Sequence, residues 1–130
     1  MSSRIVSHFL ADILAAINAI ARFTEQMDFE QFRRDEKTIR AVERELEIIG
    51  EAVKKIPEHI TAAHPSVPWR AIAGMRDRLI HQYWDTEAAI LWSTVEDSLP
   101  ELKTEIIAII EEEKIDKPQT PDAQGCPPST

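Results

Sequence analysis

Ile39, Val42, Leu46, Ile49, Val53 and Ile56 follow one another at steps of 3, 4, 3, 4 and 3 residues. A backbone turning once every 3.6 residues brings all six to one side, while the intervening Glu and Arg residues face away. A strand, whose side chains alternate with a period of two, would scatter them over both faces. A heptad seam of this length has to be buried against other helices. The neighbouring segments supply them. From Arg4 to about Glu25, Ile5, Phe9, Ile13, Ile17 and Ile20 recur at helical spacing, and Val6, Leu10 and Leu14 widen the stripe. Ser2 or Ser3 can cap this helix, and Asp28 with Gln31 resembles a capping box for a short turn through Phe29 and Phe32.

Pro57 closes or redirects the seam helix, and a weaker turn, PEHITAAH, follows. Pro68 suits the first turn of another helix, with Trp69, Ile72, Met75, Leu79 and Tyr83 along one face. Asp85 reads as the N-cap of the next, whose apolar set is Ile90, Leu91, Trp92, Val95 and Leu99. Pro100 starts a further turn or kinks the run, and Leu102, Ile106, Ile109 and Ile110 carry it to about Glu113. With only three glycines in 130 residues, tight hairpins have little material. The expected fold is an all-α, up-and-down bundle of four to five helices over residues 1–113. Residues 114–130 contain four prolines and no apolar period, and read as a disordered tail.

Charge narrows the function. The net charge is −8, so binding to nucleic acid through bulk positive charge is excluded, and any such role needs a local patch. A single cysteine, Cys126, permits neither an internal disulfide nor a cysteine-based zinc cluster, which fits a reducing cytoplasm. The N-terminus lacks signal-peptide architecture, and its apolar run is broken by His8, Asp12 and Asn18, which argues against a membrane span. There is no glycine-rich phosphate loop, no metal-ligand spacing and no sign of a cofactor. Glu43, Glu45, Glu47 and Glu51 read as a solvated face of the seam helix, which could also take a basic partner.

One stretch stands apart. RDRLIHQY, residues 76–83, gathers Arg76, Asp77, Arg78, His81 and the only tyrosine, Tyr83. Residues 69–83 carry Arg70, Arg76 and Arg78 against Asp77, a local charge of +2. Arginine offers a permanent planar fork for phosphate, and histidine exchanges protons near neutrality. Together they suffice for metal-independent RNA cleavage. A base takes the ribose 2′-hydroxyl proton, the oxygen attacks phosphorus, arginine stabilises the phosphoryl charge, and an acid protonates the leaving oxygen. On a straight helix Arg76 and His81 lie roughly 140° apart. Either the helix ends near His81, or a second copy supplies the missing groups across a two-fold axis. The bland alternatives are a solvated charged face, a histidine complementing a helix C-terminus, and a core tyrosine.

The surroundings of the motif sharpen the choice. DEKTIRAVERELEIIGEAVKKI (35–56), PWRAIAGMRDRLIHQYW (68–84) and WSTVEDSLPELK (92–103) resemble the HepT-like family of HEPN-domain proteins, the toxin half of HepT/MntA toxin–antitoxin pairs. The similarity runs from about residue 5 to residue 112, and the family's Arg-x4-His-x-Tyr signature falls on Arg76, His81 and Tyr83. This resemblance implies a HEPN-like bundle that forms a homodimer with the motif at the dimer cleft. It implies a metal-independent endoribonuclease in which Arg76 and His81 are catalytic, with Asp77 and Arg78 accessory. It further implies an MntA-like nucleotidyltransferase antitoxin that transfers AMP to Tyr83. Two other readings remain open at this stage. One is a non-catalytic module that docks the nucleotidyltransferase and binds nucleotide. The other is a structural helical dimer.

Overall fold

The computed structural model describes residues 3–75 and 84–116. Every regular element among these residues is helical. α1 spans Ser3–Phe23, α2 Phe29–Arg33, α3 Glu36–Val53, α4 Glu58–Ala63 and α5 Trp69–Ala73. α6 covers Trp84–Ser93 and continues through a π-helical turn, Thr94–Ser98, into α7, Leu99–Asp116. The all-α bundle expected from the seam is present. Its long members are α1, α3 and the α6–α7 rod, with α2, α4 and α5 as short connectors. The tail from residue 117 and the 76–83 stretch lie outside the described residues.

α1 packs chiefly on α3, and α7 covers a further side of α1. Both partners in the first contact carry a 3–4–3 pattern. On α3 the buried line is Ile39, Val42, Leu46, Ile49 and Val53; on α1 it is Val6, Leu10, Ile13, Ile17 and Ile20. Two such lines interlock as in a coiled-coil pair. The α1 stripe is rotated from the one drawn through Ile5 and Phe9. Ile5 is 44% exposed and Phe9 half-buried, because the interlocking positions begin at Val6 and Leu10. By length and composition Arg4–Phe23 could cross a membrane, but this line of buried residues makes it a core helix of the bundle.

The joints follow local chemistry. Thr24 closes α1 by donating its hydroxyl proton to the Ile20 carbonyl at 2.9 Å, and Gln26 reverses the chain with φ at 63°. Asp28 caps α2 through a reciprocal capping box: it accepts from the Gln31 N–H at 2.8 Å, and its own N–H donates to Gln31 Oε1 at 2.9 Å. Asp35 caps α3. The Thr38 hydroxyl donates to it at 2.7 Å and the Thr38 N–H at 3.1 Å. Those two hydrogen bonds, the hydroxyl's first, hold the Asp35 carboxyl below the usual carboxylate range.

Two boundaries differ from the sequence expectation. α3 stops at Val53, three residues before the seam ends, yet Ile56 is still buried, carried inward by the turn that precedes Pro57. Asp85 lies inside α6, which is already helical at Trp84, so it is not that helix's cap. At Pro100 the expected disturbance is present: a π turn, Thr94–Ser98, precedes it and α7 begins at Leu99. A proline ring collides with the carbonyl four residues earlier and supplies no N–H. The π turn just before it widens the spiral: the Leu99 N–H reaches back five residues to the Thr94 carbonyl. The glutamates of α3 are also less free than a solvated face suggests. Glu43, Glu45 and Glu47 are half-buried, with Arg40 2.7 Å from Glu43 and Arg44 3.3 Å from Glu47.

Candidate active site

The signature segment enters from α5 and leaves into α6. Arg76, Asp77, Arg78, His81 and Tyr83 all lie outside the described residues, as does Leu79. The structure therefore defines the frame around the signature, and that frame is built on α3.

The entry side begins at Trp69. Its indole N–H is shared between the His64 carbonyl at 3.0 Å and the Thr61 carbonyl at 3.2 Å, which pins the start of α5 to the end of α4. α5 then passes very close to α3. A Cβ added to Gly50 would sit 3.4 Å from the carbonyl oxygens of both Ile72 and Ala73. Glycine at this position lets two helix backbones approach more closely than larger side chains would permit. Met75, the last described residue before the signature, is buried in the core.

Behind α5 the packing is incomplete. A cavity of about 230 Å³ lies among Leu46, Ile49, Ile72, Met75, Leu99 and Leu102, with Thr94 and Ser98 of the π turn on its wall. An adjoining recess of about 310 Å³ runs outward past Ser66, Val67, Glu101, Thr104 and Glu105. Both abut the helix that delivers the chain to Arg76.

The exit side is α6. Trp92 packs on α2, its ring centroid 5.1 Å from Phe32 and 6.4 Å from Phe29. Leu91 is fully buried beside it. Nearer the signature, Glu87 is only 9% exposed and its Oε2 lies 3.5 Å from Arg40 Nη1 of α3. Residues 76–83 thus connect two anchors on one helix, Gly50 and Arg40. At 1.5 Å rise per residue these stand about 15 Å apart along α3.

His64, at the end of α4, adds a second interhelical clasp. Its Nδ1 lies 3.1 Å from Glu105 and its Nε2 2.9 Å from Glu112, both on α7. Burial lowers the imidazole's pKa and is the largest single influence. The hydrogen bonds and charges of Glu112 and Glu105 together outweigh it, so the net displacement is upward. Among the described residues, no group of three or more His, Cys, Asp or Glu side chains could hold a metal ion.

Sequence reasoning identified neither the Arg40–Glu87 pair nor the His64 clasp, because each joins residues far apart in the chain. One signal was available for Glu87. It stands four residues before Leu91, on the apolar side of α6, where a charge needs a reason.

A family model described as "Ribonuclease HepT-like" matches residues 13–109, a range that spans both anchors and the whole signature. "Probable ribonuclease HepT" of Thermococcus cleftensis is 50% identical over 95 residues, covering 73% of this chain and 86% of that protein. "Putative RNase MJ0125" of Methanocaldococcus jannaschii is 44% identical over 112 residues, covering 86% of this chain and 97% of that protein. A similarly named protein of Caldanaerobacter subterraneus, "Putative RNase TTE0752", is 41% identical over 106 residues, 82% of this chain and 95% of that one. No solved structure matches the chain. With the signature intact and identity sustained over most of its length, the chain belongs to the HepT-like ribonuclease family.

Proposed function

We propose that this protein is a metal-independent endoribonuclease, the toxin of a HepT/MntA-type pair. The observation that carries the reading is the family match over residues 13–109, within which Arg76, His81 and Tyr83 stand at the signature spacing. Arg76 and His81 are the catalytic residues, with Asp77 and Arg78 accessory. Two copies meet at the signature, so that one His81 acts as base and the other as acid. The base removes the ribose 2′-hydroxyl proton, and the 2′-oxygen bonds to the adjacent phosphorus. The bond to the 5′-oxygen breaks, and the acid protonates it. The products are a 2′,3′-cyclic phosphate and a 5′-hydroxyl. Arg76 stabilises the charge that builds on the phosphoryl oxygens.

Tyr83 is the regulatory handle. Its phenolic oxygen attacks the α-phosphorus of ATP on an MntA-like nucleotidyltransferase, pyrophosphate leaves, and AMP stays on the tyrosine. The added phosphate occupies the place of the RNA phosphate and repels another. The working unit is the helical domain of residues 1–113, acting in the cytoplasm.

The test is cleavage of end-labelled RNA and total tRNA in EDTA by the wild type beside His81→Ala. The wild type yields cyclic-phosphate ends, and the variant is slower by about 10²–10⁴-fold, the usual contribution of general acid–base catalysis. Cleavage at an equal rate by His81→Ala removes His81 from the chemistry. No cleavage by the wild type at micromolar concentration leaves the nucleotide-binding module as the better account.

A further inference from the structure

Glu87 is a carboxylate that lies almost out of water on the first turn of α6, immediately after the signature segment. A buried carboxylate persists only where a partner replaces its hydration. That partner is Arg40, 3.5 Å away on α3. Arg40 is itself held from both sides along its own helix, by Glu43 at 2.7 Å and Glu36 at 3.9 Å. Its guanidinium is therefore oriented before it meets Glu87. A second pair on α3, Arg44–Glu47, joins neighbours one turn apart along that helix, with Arg44 exposed.

The second half of α6 is anchored by apolar packing, at Leu91 and at Trp92 against Phe32. In the described part of its first half, the buried apolar residue beside Glu87 is Ala88, with a single methyl. The charge pair thus ties the described turn nearest the signature to α3. A helix transmits a rotation of its first turn directly to the chain that enters it.

We infer that Glu87 and Arg40 form a positioning pair, which ties the turn that follows residues 76–83 to α3 and on which the chemistry of that segment depends. The inference rests on the ribonuclease reading. Neither residue touches RNA in this account. Their effect falls on the rate of the chemical step, where misplacement of a reacting group by about 1 Å costs on the order of 100-fold.

The experiment measures kcat and KM for an end-labelled RNA in EDTA, together with the melting temperature. The proteins are wild type, Glu87→Gln, Glu87→Asp, Arg40→Gln and, as a control of equal charge change, Arg44→Gln. Glu87→Gln keeps the shape and removes the charge. It is expected to lower kcat by about 10–100-fold while KM stays within about twofold. Glu87→Asp keeps the charge and recovers most of the rate. Arg44→Gln matches the wild type. If Glu87→Gln loses its helical signal, Arg40→Gln, at a half-exposed position, carries the same expectation. Wild-type kcat in folded Glu87→Gln overturns the positioning role alone. So does a loss in Arg44→Gln equal to that in Glu87→Gln. Absence of cleavage by the wild type overturns the ribonuclease reading and the pair together.

Discussion

His64 holds two carboxylates at once, Glu105 through Nδ1 and Glu112 through Nε2, with only 11% of its side chain exposed. Both ring nitrogens can donate only when the imidazole is protonated. The folded state therefore favours the charged form, and the pKa is raised. A group whose pKa rises on folding stabilises fully below its unfolded value, and that contribution is lost as pH climbs through the folded value. The clasp is thus complete below about pH 6.5, the ordinary histidine value, and fades above it. Melting of the wild type and His64→Gln from about pH 5.5 to about pH 8.5, a range bracketing that value, checks this. The wild type's advantage should be greatest at the acid end and shrink with rising pH. An advantage that grows with pH would mean the clasp is not built on an imidazolium. None of this was legible in the segment PEHITAAH, where His64 is one polar residue at the end of a weak turn. Its partners lie more than forty residues away and meet it only through the packing of α4 on α7.

At the scale of the element, the contact that matters is α5 against α3. Gly50 belongs to the seam helix, where a glycine costs about 1 kcal/mol of helix propensity relative to alanine. The structure shows what offsets that cost: the carbonyls of Ile72 and Ala73 lie 3.4 Å from where a Cβ would stand. An alanine methyl just fits there, whereas anything longer must move the α5 backbone. Gly50→Ala is expected to change stability by less than about 1 kcal/mol, with tight contact set against gained helix propensity. Gly50→Leu is expected to lower it by about 1–3 kcal/mol, the range for overpacking, and to depress RNA cleavage by displacing Met75 and the signature. Urea denaturation gives the stabilities. Gly50→Leu with wild-type stability and activity would show that α5 is not positioned by this contact. The π turn before Pro100 is a second lesson at this scale. The sequence announced a disturbance at Pro100, and the structure resolves it as a widened turn inside one continuous rod.

For the whole molecule, the proposed chemistry bears on a second copy. On one straight helix Arg76 and His81 would lie roughly 140° apart, so either the helix ends near His81 or a second copy completes the site. Light scattering on the purified chain is expected to give about twice 14.8 kDa, and dilution below the dimer dissociation constant should reduce cleavage per chain. A monomer that cleaves at full rate would remove the two-copy site. What the sequence determined alone was the class of fold and the identity of the signature. The 3–4 steps of Ile39 to Ile56 admit only helices that bury one face, and Asp28 with Gln31 specifies a cap from residues three apart. Both signals are local, because helix periodicity and capping act within a few turns. The tertiary structure decided which face of α1 is buried, where α3 ends relative to its seam, and how the signature is framed. Gly50 against α5, Glu87 on Arg40 and His64 between two glutamates each join residues that no period links. Such contacts arise only when apolar packing brings separate helices together, and burial then makes each charge depend on the partner it finds there.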